Sequence, residues 1–219
     1  MKIESKNWSL EIETEQNPQN PRSTDYTDCN VTKMVCFHKN YNLGDEHNYK
    51  KSDYESWNKL QKAIEKNEKV AAIKALYLYD HSGITIATTP FSCPWDSGQI
   101  GFIYVTKEKA LSELTVGKKY VTEKVIDKAV EAINSEVKTF DQYINGEVYC
   151  FGTENKLNGD LDSCCGFYGS DIWTNGIADN VTAECIVDLY PQLKIEFGEN
   201  KDIEAIIEKI VKIEKILNV

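Results

Sequence analysis

No run of about 18 apolar residues occurs anywhere in the chain, so nothing in it reads as a membrane-spanning helix. The first residues, MKIESKNWSLEIETEQ, contain no apolar stretch of signal-peptide length, and the expectation is a soluble protein that stays inside the cell. There is no Walker pattern and no glycine-rich strand-to-helix turn; SGQIGF and CCGFYG hold glycines at other spacings. Basic patches interleaved with aromatics are also missing, which argues against DNA or RNA as a direct ligand. Long repeats and low-complexity tracts are absent, and no Cys-x-x-Cys pair announces a zinc site.

What is present describes an ordinary globular chain with an uneven charge. Of 219 residues, 41% are hydrophobic and 27% charged, enough to bury a real core. The net charge is −10, and from Thr139 to Tyr190 nine acidic residues face only Lys156. Such a surface repels free nucleic acid and attracts a basic protein or a cation, although acidity also serves plain solubility. Seven cysteines, at 29, 36, 93, 150, 164, 165 and 185, are odd in number and lack framework spacing, so reduced and mostly buried thiols are expected. Cys164 and Cys165 are neighbours that a strand would point to opposite faces, which argues against a bond between them.

The pattern along the chain predicts an α+β fold, mostly antiparallel sheet with three helices packed on it. Trp8 to Thr14 alternates as a strand, with Trp8, Leu10 and Ile12 on one face. EQNPQNPRSTDYTDCN reads as a long loop, and VTKMVC as a short apolar run. Ser52 and Glu55 have capping-box spacing and predict a helix that carries Trp57, Leu60 and Ile64. KVAAIKALYLYD, Ile84 to Thr88 and Ile100 to Val105 read as three strands, and residues 122 to 144 as a helix with a broad apolar stripe. Residues 146 to 167 have the two-residue period of a hairpin. LKIEF is expected to be a strand, and Asp202 to Leu217 a helix whose Ile203, Ile206, Ile210, Ile213 and Leu217 form a seam. The expected organisation is therefore an α+β domain over 1–179 and a strand-helix extension over 180–219, packed on the same domain.

Candidate chemistry is sparse. Cys93 and His81 flank one hairpin, and with Asp96 or Asp80 they could form a nucleophile, base and orienting carboxylate. No nucleophile signature accompanies them, and seven Cys with three His produce such pairs by chance. Cys36 and His38 share a strand-like spacing, with Cys29 and His47 nearby, yet zinc requires a second close pair. Asp160 and Asp162 resemble the start of a calcium loop, but the remaining oxygen ligands, the central Gly and the closing Glu are missing. No metal or cofactor is therefore assigned. Two loops remain, SCPWDSGQ and LDSCCGFYGSDIW, each with an Asp-Ser pair, a cysteine, a glycine and a Trp. They nominate Trp95, Asp96, Gln99, Asp160, Asp162, Tyr168, Asp171 and Trp173 as binding residues, against the plainer reading of turns whose Asp and Ser cap amides while Trp covers the core.

Four blocks, MVCFHKNYNLGDEH, YLYDHSGITIATTPFSCPWDSGQIGFIYVTKEK, EVKTFDQYINGEVY and LDSCCGFYG, resemble in that order a group of small uncharacterised proteins of bacteriophages and other mobile elements. The resemblance covers roughly residues 33 to 170 and implies a setting: the cytoplasm of a bacterial host. Small acidic proteins of that kind often bind a host defence protein, commonly a nuclease, whose DNA groove an acidic surface can occupy. The leading expectation is thus an inhibitor of host defence that binds a host protein through its acidic segment. The alternatives are a pocket that sequesters a nucleotide-like signal between the two aromatic loops, and a cysteine-dependent enzyme.

Overall fold

A computed structural model describes residues 1–23 and 29–207. The chain forms two compact units, one made of residues 1–18 and 146–219 and the other of residues 19–145. The boundary expected at 179/180 falls inside the first of these units. Both units are α+β and both sheets are antiparallel.

The first unit contains β1 (Lys2–Glu4), β2 (Trp8–Thr14), β7 (Val148–Asn155) and β8 (Leu161–Tyr168), in the order β1-β2-β7-β8. As the alternation predicts, Leu10 and Ile12 are buried while Glu11 and Glu13 are exposed. The inner face packs with Phe151 and Phe167 against α4 (Ile177–Asn180) and α5 (Ala183–Phe197), burying Ile177, Ile186, Leu189 and Leu193. The expected LKIEF strand is corrected here: it is the last turn of α5. The apolar set Cys185, Ile186, Leu189, Tyr190 and Leu193 has a helical period that runs straight through Pro191. Pro191 suggests a break in the sequence, but it lies on the exposed side and costs the helix one backbone hydrogen bond. Residues 201–207 are helical, and Ile203 packs on the same core while Ile206 is exposed; Ile210, Ile213 and Leu217 of the expected seam lie outside the described residues.

The second unit carries β3 (Lys33–Cys36), β4 (Val70–Asp80), β5 (Ile84–Ala87) and β6 (Ser97–Thr106), in the order β3-β6-β4-β5. It is a three-layer arrangement. On one face α3 (Glu123–Ile144) lays Val125, Ala129, Ile133, Val137 and Phe140 against Met34, Leu76, Leu78, Ile86 and Ile103. On the other, α1 (Trp57–Asn67) buries Leu60 and Ile64 against Val35 and Phe102. With both faces covered, β6 is buried continuously from Ile100 to Val105, which is why that segment reads as an unbroken apolar run. Gly101 sits where a Cβ would meet the Val35 carbonyl oxygen at 1.9 Å, so the β3–β6 contact admits no side chain there.

Three helices were expected; among the described residues there are α1, α2 (Lys107–Glu113), α3, α4, α5 and the turns at 201–207. The start of α1 also differs. Residues 51–53 form a short 3-10 turn, and Ser56, not Ser52, caps the helix by accepting a hydrogen bond from the Lys59 amide at 3.3 Å.

A buried ion network ties this unit together. The Arg22 side chain is 1% exposed and meets Asp45 through Nε at 2.9 Å and again through Nη2. Its Nη1 donates to Glu136 at 2.6 Å and to Thr32 Oγ1 at 3.2 Å, and Nη2 donates to the Thr32 carbonyl at 3.1 Å. Asp45 accepts in addition from the Met34 amide at 2.7 Å. Every donor on the guanidinium side is thus matched, as burial of that charge requires.

Candidate binding surface

The two aromatic loops belong to different units. In the second unit, Asp96 stands between the two residues nominated for thiol chemistry: its Oδ2 lies 3.6 Å from Cys93 Sγ and 3.4 Å from His81 Nδ1. The three residues do converge, but with the carboxylate in the middle, so the imidazole touches Asp96 and forms no hydrogen bond with the thiol. A nucleophile needs its base alongside. The loop is closed by Ser97 Oγ donating to the Cys93 carbonyl and by the Asp80 amide donating to the Asp96 carbonyl at 2.8 Å. Trp95 projects from its tip, 90% exposed, while Gln99 turns back to donate to the Gly101 carbonyl at 3.2 Å.

In the first unit, Asp171 acts as a turn residue. Its carboxylate accepts from the Trp173 amide and from the Thr174 hydroxyl, both at 3.0 Å. Trp173 is half-buried, 6.0 Å from the Tyr190 ring, and covers core. Tyr168 closes β8 half-buried opposite Val148, and Asp160 is held in the hairpin turn by Asn158 at 2.6 Å. Asp162 borders a concavity, although its cross-strand partner Thr153 faces Leu10, which puts the Asp162 side chain on the opposite face of the sheet.

That concavity is the outer face of the β1-β2-β7-β8 sheet. The register sets three rows across it: Lys2, Glu11, Gly152 and Ser163; Glu4, Ser9, Glu154 and Leu161; Glu13, Cys150 and Cys165. Ser9, Gly152 and Ser163 are small and leave a floor, above which Glu11 and Glu154 stand around a groove of about 530 Å³. Lys2 is engaged by Glu4 at 2.7 Å, and that hydrogen bond raises the lysine's pKa and lowers the carboxylate's. Two exposed carboxylates on β2 were overlooked in the sequence although alternation already put Glu11 and Glu13 opposite Leu10 and Ile12.

Charge follows the same division. The first unit has 18 acidic and 8 basic residues, net −10, and the second has 17 of each, net zero. The expectation of reduced thiols is corrected for one pair: Cys150 and Cys165 form a cross-strand disulfide with Cα atoms 4.0 Å apart. A bulge between Tyr149 and Cys150 shifts the register so that Cys165 faces Cys150, which no sequence spacing reveals. Cys164, on the other side of β8, is free and exposed, as are Cys29 and, partly, Cys93; Cys36 and Cys185 are buried thiols. Among the described residues, the potential metal-ligand cluster is Glu15, Cys150 and Cys165, whose sulfurs are bonded to each other, and Cys36 with His38 does not form one. His38 instead accepts from the Asn40 and Tyr41 amides, both at 3.3 Å, and His47 Nε2 meets the Cys36 carbonyl at 3.0 Å. Among the described residues no helix is long and apolar enough to cross a membrane. No protein-family model, curated protein or solved structure matches the chain.

Proposed function

We propose that this is an accessory protein of a phage or mobile element that inhibits a bacterial host's defence by binding one of its basic proteins, and that the groove face of the β1-β2-β7-β8 sheet makes the contact. The observation that carries the reading is the confinement of the whole net charge of −10 to the unit bearing that face, where Glu11, Glu13 and Glu154 are exposed together. A predominantly acidic face steers a basic partner and competes with nucleic acid for a cationic groove. The resemblance to phage proteins supplies the host setting. Sequestration of a nucleotide-like signal by the two aromatic loops has less support, because those loops lie in separate units. A cysteine-dependent reaction has less support because Asp96 lies between thiol and imidazole.

The test is capture of host proteins on the tagged full chain at about 0.1 M and about 1 M salt, between which the screening length falls from about 10 Å to about 3 Å. A basic partner retained at low salt and released at high salt is expected. No partner at low salt, or one whose retention ignores salt, contradicts the reading.

A further inference from the structure

A second concavity lies in the neutral unit and has a different character. Lys33 on β3 stands directly opposite Tyr104 on β6, so both side chains leave the sheet on the face that carries Val35 and Phe102. Helix α1 covers Val35 and Phe102 but ends at Asn67, and its C-cap residue Glu68 borders the space beyond. A pocket of about 340 Å³ remains there, closed on the far side by Thr106 and Lys109 where β6 passes into α2.

Its polar groups are incompletely used. Tyr104 is only 4% exposed and lines the pocket, and its hydroxyl has no partner among the described residues. Burial, reinforced by the nearby Glu68, Tyr49 and Asp45, raises its pKa, so it remains a neutral hydroxyl. Glu68 accepts from the Tyr49 hydroxyl at 2.8 Å through Oε1, which leaves Oε2 open. The Lys33 ammonium has no partner among the described residues, and Lys109 donates to the Asn30 carbonyl at 2.8 Å with donors to spare. Asp45 is already matched by Arg22 and the Met34 amide. The ring of Tyr104 is buried while its hydroxyl opens into the pocket, where it can hydrogen-bond a ligand.

We propose that this pocket binds a small zwitterion of the free amino-acid class. The ligand's carboxylate meets the Lys33 and Lys109 ammonium groups, and its ammonium group meets Glu68 Oε2 and the Tyr104 hydroxyl oxygen. The volume lies at the lower end of small-molecule sites and excludes a dinucleotide-sized ligand. The inference does not depend on the acidic face of the other unit.

Isothermal titration of the full chain with each of the twenty common L-amino acids, with acetate and methylammonium as half-ligands, tests it. At least one amino acid binds, both half-ligands bind at least about tenfold more weakly, and Tyr104→Phe and Lys33→Met each weaken binding about tenfold with an unchanged circular dichroism spectrum. Three results overturn the proposal: no amino acid binding up to about 10 mM, acetate binding as well as any amino acid, or Tyr104→Phe binding like the wild type.

Discussion

The two units of this chain solve the problem of charge in opposite ways. Residues 19–145 balance their charges to zero and bury some of them, Arg22 with Asp45 and Glu136, inside a three-layer core. Residues 1–18 and 146–219 hold the entire net charge and display part of it, Glu4, Glu11, Glu13 and Glu154, on one open sheet face, on which a disulfide also joins β7 to β8. Buried, matched charge fixes geometry at a distance of one hydrogen bond. Exposed, unmatched charge does little for stability but acts over a screening length on whatever approaches. One unit is therefore suited to hold a small ligand in a defined pose, and the other to attract a large partner.

The largest effect that should separate the units comes from Arg22→Ala. It leaves Asp45 and Glu136 without their cation and should cost about 3–5 kcal/mol, read as faster amide exchange in β4 and β6 with β2 and β7 unaffected. Equal loss in both sheets would mean that the units unfold as one. Next, Cys165→Ser opens a cross-link of sequence separation 15 and should cost roughly 3 kcal/mol. That loss is expected in the exchange of β2 and β7 alone.

Alkaline pH should weaken both units, and the second more, because burial also raises its Tyr49 and Tyr104 hydroxyls. Burial pushes the Cys36 thiol in one unit and the Cys185 thiol in the other up to about 12, against an ordinary value of 9.0. For Cys36 the negative charge of Asp45 adds to burial and Arg22 opposes it. Between pH 9 and 12 the unfolded chain gives up these protons while the folded chain keeps them. Stability is therefore retained below the unfolded value and falls as pH rises through that window, by about 1.4 kcal/mol per pH unit for each thiol. Cys36→Ala should flatten the limb in the exchange of β4 and β6 only. The smallest effect belongs to Trp95→Ala, whose side chain is 90% exposed; the melting temperature should reflect a change within about 0.5 kcal/mol.

Elements with a clean local period were legible. β2, β4, the core of β6 and α3 lie where alternation, an apolar run or a helical stripe put them, because each packs on a face that its own pattern defines. The failures occur where a nonlocal partner or a neighbouring signal decided. Pro191 hid the continuity of α5, Ser52 competed with the true cap Ser56, and the bulge before Cys150 set a disulfide register that spacing does not encode. Asp162 was nominated, but its register partner Thr153 puts its side chain on the Leu10 face, and Glu11 and Glu154 share the groove face only because β2 and β7 pair. The pocket at Tyr104 was not legible, since it depends on where α1 stops relative to the β3–β6 pair.

The central claim, that partner binding resides in the acidic unit, is tested most directly by two variants of equal charge change. One removes four carboxylates from the groove side of the first unit, Glu4→Gln, Glu11→Gln, Glu13→Gln and Glu154→Gln. The other removes four exposed carboxylates from the second unit, Glu46→Gln, Glu55→Gln, Asp127→Asn and Glu131→Gln. Retention of the captured basic partner at low salt should be lost in the first variant and preserved in the second. Equal retention by both variants, or loss in the second alone, would contradict the account.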